Sequence, residues 1–474
     1  MKRYIVLLLA FITFQLNAQT LSDALRLSYS GLGFSPRSIG MGNAFGSISD
    51  DFSAFYFNAA GLGFVKKHEF SAGIDSYTFT NEVNFYGNKT NSDYNNLNLS
   101  NFSYIVPIPT VQGSLSFGIS YNFHKDFTEV NKHSGINTNS TYTNYLVKNP
   151  LDSTDIPYYL VLRPAKQSTP LTKDLLQTVD ITKNGNLKSL SFAGAIEVDK
   201  DLFFGIDFDF TWGSFESKNS FLESDINNIY GNIYLDPNYS FTKGFQFFQF
   251  DKKIKWDIYG ETFKFGFIYQ LKNIARIGLN FVYPTSYKIT ENYNEFATAQ
   301  FKNQPNNYQP WQYSEEVKYS FKTPTKVTLS ASTFKFNTLF SIDLNYSDYT
   351  KIEIENIRGL SSTFVDKFNK NITNNFRSVY DFNIGIEHHL YDYGLRLRTG
   401  FFTQNSAYKN DPSSFNKKFI TFGFGYSLSN YTTLDIGYAY GWWKEIGDNY
   451  GIELSRNSQN ISYKVLKMGI STRF

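Results

Sequence analysis

Asp50-Asp51 could work as an acid pair, and His388-His389 could ligate a metal or a haem. Neither arrangement holds up. Adjacent acids at the start of a helix are more simply placed there by the helix dipole. Adjacent histidines on a strand point to opposite faces and do not easily chelate one ion. A polar role at a strand end is the simpler reading for both. The chain has five His and no Cys, which excludes disulfide scaffolds and thiolate metal sites. No nucleophile stands in a motif with a base. The expectation is therefore no enzyme, no catalytic residue, no metal and no cofactor.

The elements around these residues carry more information. Aromatics make up 19% of 474 residues, with 48 Phe and 35 Tyr. Mean hydropathy is nonetheless slightly negative, at −0.35, so polar residues must dilute the aromatics in a regular way. The formal charge of +3 is nearly balanced and forms no basic stripe, which argues against a nucleic-acid partner. The first residues, MKRYIVLLLAFITFQLNAQT, have a basic start, a short apolar run and a small residue at Ala18. That pattern predicts a secretory signal peptide over 1–18.

Period-two alternation dominates the rest. Leu202, Phe204, Ile206, Phe208 and Phe210 alternate with Gly205, Asp207 and Asp209. Ile420, Phe422, Phe424 and Tyr426 alternate with Thr421, Gly423 and Gly425. One face is almost wholly large and apolar, and the other is Gly, Ser, Asp, Asn and Arg. A soluble sandwich would turn its apolar face inward. A transmembrane barrel turns it to lipid and keeps a polar lumen. The pattern predicts an all-β fold, a transmembrane antiparallel β-barrel of about 14 strands over 67–474. Six short gaps lie on one side. Long extracellular loops are expected on the other, at 126–186, 215–253, 291–315 and 357–378, with a short helix over 169–179. The chain ends on an alternating strand closed by Phe474. Asp207, Asp209, Asp343, Arg396, Arg398 and Asp435 fall on the polar face, with Asp381 and Glu387. They are expected to form a charge network in the lumen that supports the wall and holds a plug.

A wide barrel is an open hole unless filled. Residues 19–66 are long enough to fill it as an N-terminal hatch with short helices. Gly40, Gly42 and Gly46 permit close backbone approach. Ser49 can cap a short helix, and Asn58 and Gly61 can end it and turn the chain into the wall. Leu25, Leu27, Phe34 and Phe45 are the apolar residues expected to line a ligand pocket beside the hatch.

The stretch RSIGMGNAFGSISDDFSAFYFNAAGLG, residues 37–63, resembles the hatch of the FadL family of outer-membrane transporters for hydrophobic compounds (OmpP1/FadL/TodX type). The residues that carry the resemblance are Arg37, Gly40, Met41, Gly42, Ala44, Asp50, Asp51, Ser53, Ala54, Tyr56, Asn58, Ala60, Gly61 and Leu62. Ala59 departs from it, because that family has proline there. The chain is expected to be a monomer in the bacterial outer membrane, bedded in its lipid. The resemblance implies passive transport of a hydrophobic small molecule such as a long-chain fatty acid. Extracellular loops would capture the ligand, a hatch-lined apolar pocket would hold it, and a lateral opening in the wall would release it. The competing readings are a FadL-like barrel serving a protein-secretion machine and a general porin.

Overall fold

The computed structural model describes residues 21–149, 155–272 and 274–474. The expected signal peptide and the first two hatch residues lie outside them. Eighteen strand segments form one antiparallel sheet. In chain order they are β1 (Glu69–Phe85), β2 (Asn88–Ile108), β3 (Leu115–Asp126), β4 (Glu129–Asn137), β5 (Leu175–Asp199) and β6 (Leu202–Ser224). There follow β7 (Phe245–Leu271), β8 (Ala275–Val282), β9 (Ser286–Phe301), β10 (Trp311–Lys322), β11 (Lys326–Lys335) and β12 (Thr338–Asp348). The last are β13 (Glu353–Arg358), β14 (Ser378–Leu390), β15 (Leu395–Gln404), β16 (Lys417–Ser427), β17 (Thr432–Asp448) and β18 (Arg456–Arg473). Four consecutive pairs run on as single wall strands, namely β3–β4, β8–β9, β10–β11 and β12–β13. The wall thus has fourteen strands. Pro284 and Pro324 stand in two of the four breaks, where a missing N–H interrupts the ladder. β1 pairs with β18 from Glu69↔Arg473 to Asn84↔Ser458, which closes the barrel and leaves no edge there.

The two faces lie as the alternation requires. Ile206, Phe208 and Phe210 are 37%, 48% and 49% exposed, whereas Asp207 and Asp209 between them are 0% and 2% exposed. Large apolar side chains facing outward with charges buried inward is stable only if the outside is lipid.

Strand also occupies much of the ranges expected to be loops, because β4, the upper parts of β5, β6, β7 and β9, and the start of β10 lie there. The helix expected over 169–179 is absent. Leu175, Gln177 and Val179 are instead inward positions of β5. Helices in the loops are α3 (Tyr142–Lys148), capped by Thr141, and α5 (Ser362–Asn375), capped by Ser361. They are numbered after α1 (Leu21–Ser28) and α2 (Pro36–Gly40) of the N-terminal segment, with the four-residue α4 (Ile156–Tyr159) between them.

Candidate functional site

Residues 21–66 run through the barrel interior. Pro36 starts α2 and Ser35 caps it, accepting from the Ser38 N–H at 3.3 Å. Asp51 caps a 3-10 turn, Phe52–Phe55, and Asn58 caps a second, Ala59–Phe64. Asn58 Oδ1 accepts from Ala60 N at 3.1 Å, while its Nδ2 donates to the carbonyls of Gly46 and Phe267. One side chain therefore fixes the turn and ties it to β7.

The segment is latched by charge. Arg37 makes a two-pronged pair with Glu387 of β14, at 3.0 Å on both oxygens. It also reaches Asp50 at 2.7 Å and Asp51 at 3.2 Å. Glu387 accepts a second guanidinium, Arg398, at 2.6 Å, and Arg398 continues to Asp435 at 2.6 Å. On the other flank Asp50 meets Arg276 at 3.3 Å, and Arg473 donates to the Asp50 carbonyl. Asp343 accepts the backbone N–H groups of Phe45 and Gly46 at 2.9 and 3.0 Å. Asp209 pairs with Lys264 at 2.7 Å and Asp207 stands 3.6 Å from it, while Lys264 donates to the Phe55 carbonyl. Arg396 makes no salt bridge among the described residues. The hub, Glu387, is one acid among several in the sequence, and nothing in its neighbours marks it.

Burial alone would raise the Asp50 carboxyl, but Arg37, Arg276 and Arg473 overcome this and hold it down at about 2. A depressed carboxyl stabilises the fold above its unfolded value, and that contribution is lost as pH falls through the folded one. Hydrogen exchange over residues 37–61 is therefore expected to stay protected at about pH 4 and to accelerate only as pH falls towards about 2. Loss of protection already at about pH 5 would contradict the latch.

The wall glycines form a track for the hatch backbone. A Cβ at Gly385 would stand 2.2 Å from the Met41 carbonyl oxygen, and one at Gly400 would stand 2.3 Å from Gly42 N. Gly42 itself has φ +59 and donates to Thr421, whose hydroxyl donates back to the Gly40 carbonyl. Gly385→Val would push the hatch off β14, at a cost of about 1–3 kcal/mol as overpacking. Lowered thermal stability with faster proteolysis after Arg37 is the expected reading.

Above the hatch lies a cavity of about 700 Å³. Leu25 and Arg26 of α1 border it, with Tyr77 and Phe79 of β1, Phe419 and Trp443. Lys125 and Lys417 add charge to its wall. A smaller cavity of about 180 Å³ is lined by Thr262, Asn280, Thr285, Asn345 and Asn383, with Leu27 at its edge. Of the four residues expected in a pocket, Leu25 and Leu27 therefore line these spaces. Phe34 and Phe45 line neither. Phe34 packs on Phe52 and Tyr56, and Phe45 lies under the Arg37 guanidinium at 5.2 Å, so both belong to the hatch's own packing.

The large cavity reaches one lip of a break in the wall, at His124–Glu129. β2 pairs with β3 only between Asn101↔Asn122 and Ile108↔Leu115. Above that, β2 pairs with β1 alone, and β4 pairs with β5 alone. Each lip carries one extra residue, Ser100 in β2 and His124 in β3. Such bulges bend a strand away from its partner. Asn96 bridges the lips to Asp126 at 2.7 Å. The hatch holds both, with Ser100 donating to the Phe34 carbonyl and Lys125 to those of Arg26 and Tyr29. At the extracellular mouth, α3 and the β17–β18 loop form an apolar cap. Tyr142 stacks on Tyr450 at 5.3 Å, and Glu223 accepts the N–H groups of Tyr142 and Thr143.

The fold is similar to the crystal structure of a Pseudomonas aeruginosa FadL homologue, with TM-score 0.60 and 12% identity, over 94% of this chain and 100% of that one. It is similar to the P. putida toluene transporter TodX, with TM-score 0.59 and 13% identity, over 92% and 97%. It is also similar to the Ralstonia pickettii toluene transporter TbuX, with TM-score 0.52 and 16% identity, over 93% and 98%. Identities this low speak for the fold alone. No curated protein matches by sequence. The family described as outer membrane protein transport protein (OMPP1/FadL/TodX) matches residues 178–467, more than half of the chain. With that match and a closed lipid-facing barrel, the chain belongs to the OMPP1/FadL/TodX family of transport proteins in the bacterial outer membrane.

Proposed function

We propose that this barrel, acting as a monomer, carries hydrophobic compounds such as long-chain fatty acids across the outer membrane without energy coupling. The observation that carries the reading is the cavity of about 700 Å³, aromatic on one side and reaching the β3–β4 lip of the break at His124–Glu129. An apolar ligand gains roughly 25 cal/mol per Å² of surface taken from water, so it has reason to enter such a space. The polar lumen below offers it nothing. Ligand caught at the extracellular cap would pass into the cavity, and the wall break would release it sideways into lipid. The hatch segment from Arg26 to Phe34 bonds to both lips, so a shift there would open or close the break. The cavity wall carries both cations (Arg26, Lys125, Lys417) and acids (Asp126, Glu129, Glu445), so its charge does not choose between a carboxylate and a neutral hydrocarbon. TodX and TbuX are described as toluene transporters, which makes an aromatic hydrocarbon the second ligand class to test.

Mass spectrometry of molecules co-purifying with the detergent-solubilised barrel tests this. Fatty acid or a detergent of similar shape is expected in stoichiometric amount, depleted by Trp443→Asp. High single-channel conductance with no bound ligand would refute it in favour of a porin.

A further inference from the structure

On the outer face, just above the apolar band, three lysines surround one carboxylate. Glu216 of β6 lies 2.8 Å from Lys218, 3.6 Å from Lys253 and 3.3 Å from Lys255. Their ammonium-bearing side chains are 60%, 39% and 54% exposed, in the same order. The ladder sets their height. Trp212 pairs with Tyr259, and rungs Ser214↔Asp257, Glu216↔Lys255 and Lys218↔Lys253 follow upward. Trp and Tyr mark the edge of the hydrocarbon. The lysine rungs begin four residues above, about 13 Å along a tilted strand, on the side of the long loops. This is headgroup depth in the outer leaflet. Asp257 is the intervening acid on this face, and Lys288 lies opposite Tyr259 on β9. Glu261 lies one rung below Tyr259 and Asp251 one rung above Lys253, so the excess of positive charge is local, with Lys218, Lys253 and Lys255 set against Glu216 and Asp257. Exposed pairs contribute only about 0–1 kcal/mol each, so barrel stability does not explain three ammoniums on one carboxylate.

We propose that Lys218, Lys253 and Lys255 form a binding site for the phosphate of a phosphorylated glycolipid of the outer leaflet. The Trp212–Tyr259 rung below would lie against its acyl chains. Glu216 holds the ammoniums together when the site is empty and limits affinity when it is filled. The source is the lipid rather than free phosphate, because the site stands directly on the apolar band.

Native mass spectrometry of the full-length barrel in detergent, with added lipid A or enzymatically dephosphorylated lipid A, tests the site. Wild type is expected to retain lipid A and not the dephosphorylated form. Lys218→Gln/Lys253→Gln/Lys255→Gln is expected to lower retention at least about tenfold, and Glu216→Gln to raise it. The all-arginine triple variant should retain lipid A, and heat-dependent gel mobility verifies that each variant is folded. Unchanged retention in the folded glutamine variant overturns the proposal. So does equal retention of the dephosphorylated lipid, or complete displacement of lipid A by about 10 mM inorganic phosphate, a concentration at which a free anion merely adds ionic strength.

Discussion

Arg37→Met is expected to release the hatch while leaving the barrel closed. The substitution keeps most of the stem volume and removes the one group, among the described residues, that joins Glu387 of the wall to both Asp50 and Asp51 of the hatch. Glu387 and Asp50 keep other cations, Arg398 and Arg276, but buried Asp51 loses the one salt bridge it makes among the described residues. What is lost is the bridge between wall and hatch. Breaking a buried ion pair from one side costs about 3–5 kcal/mol, which lowers the docked-to-undocked ratio by about two to three and a half orders of magnitude. Amide exchange over residues 37–61 should rise by about that factor, with strand amides unchanged. Arg37→Lys should recover only part of the effect, because an ammonium cannot make the forked contact with Glu387. Exchange in Arg37→Met equal to wild type would show that the remaining ties, among them Asp50–Arg276, Asp343 on Phe45 and Gly46, and the glycine track, suffice to hold the hatch.

Closing the wall break should stop transport. Asn96 and Asp126 face each other across it at 2.7 Å, and the chain has no cysteine, so a pair of engineered thiols reports on this contact alone. Oxidised Asn96→Cys/Asp126→Cys is expected to lose uptake about tenfold or more, and a reductant should restore it, since a gated step then limits the rate. Each single variant should behave as wild type. Full uptake by the oxidised pair would move the exit elsewhere, most simply to the periplasmic mouth.

The barrel was legible in the sequence because lipid forces a strict alternation. Asp207 and Asp209 between Ile206, Phe208 and Phe210 admit one arrangement in a membrane. The extent of the strands was not legible, and the reason is a change of phase. Within the membrane band β7 sends Phe263, Phe265 and Phe267 outward and Thr262 and Lys264 inward. Above the band it sends Lys253 and Lys255 outward and Ile254, Trp256 and Ile258 inward. Strands that leave lipid for water invert their apolar face, and a search for one continuous stripe stops there. The same inversion hid β4 and the upper part of β5, where Leu175 and Val179 are inward residues of a strand and not one side of a helix. In the hatch, the types of Arg37, Asp50, Asp51 and Asn58 pointed to latching and turns. Their partners lie some hundreds of residues away, so Glu387 as hub and Asn58 as the tie to β7 needed the closed barrel to be seen. The wall break was invisible for a related reason, because it depends on Ser100 and His124 slipping out of register with neighbours on other strands.

Passive movement of a hydrophobic compound through the hatch-side cavity is the central claim, and uptake of an isotope-labelled long-chain fatty acid tests it most directly. Cells lacking other outer-membrane routes for the compound would be compared with and without this chain. The account expects uptake that appears with the chain and saturates with ligand. It should persist when energy coupling at the inner membrane is removed, and Trp443→Asp should lower it. No gain in uptake of either a fatty acid or an aromatic hydrocarbon, with a protein found bound to the extracellular loops instead, would contradict it.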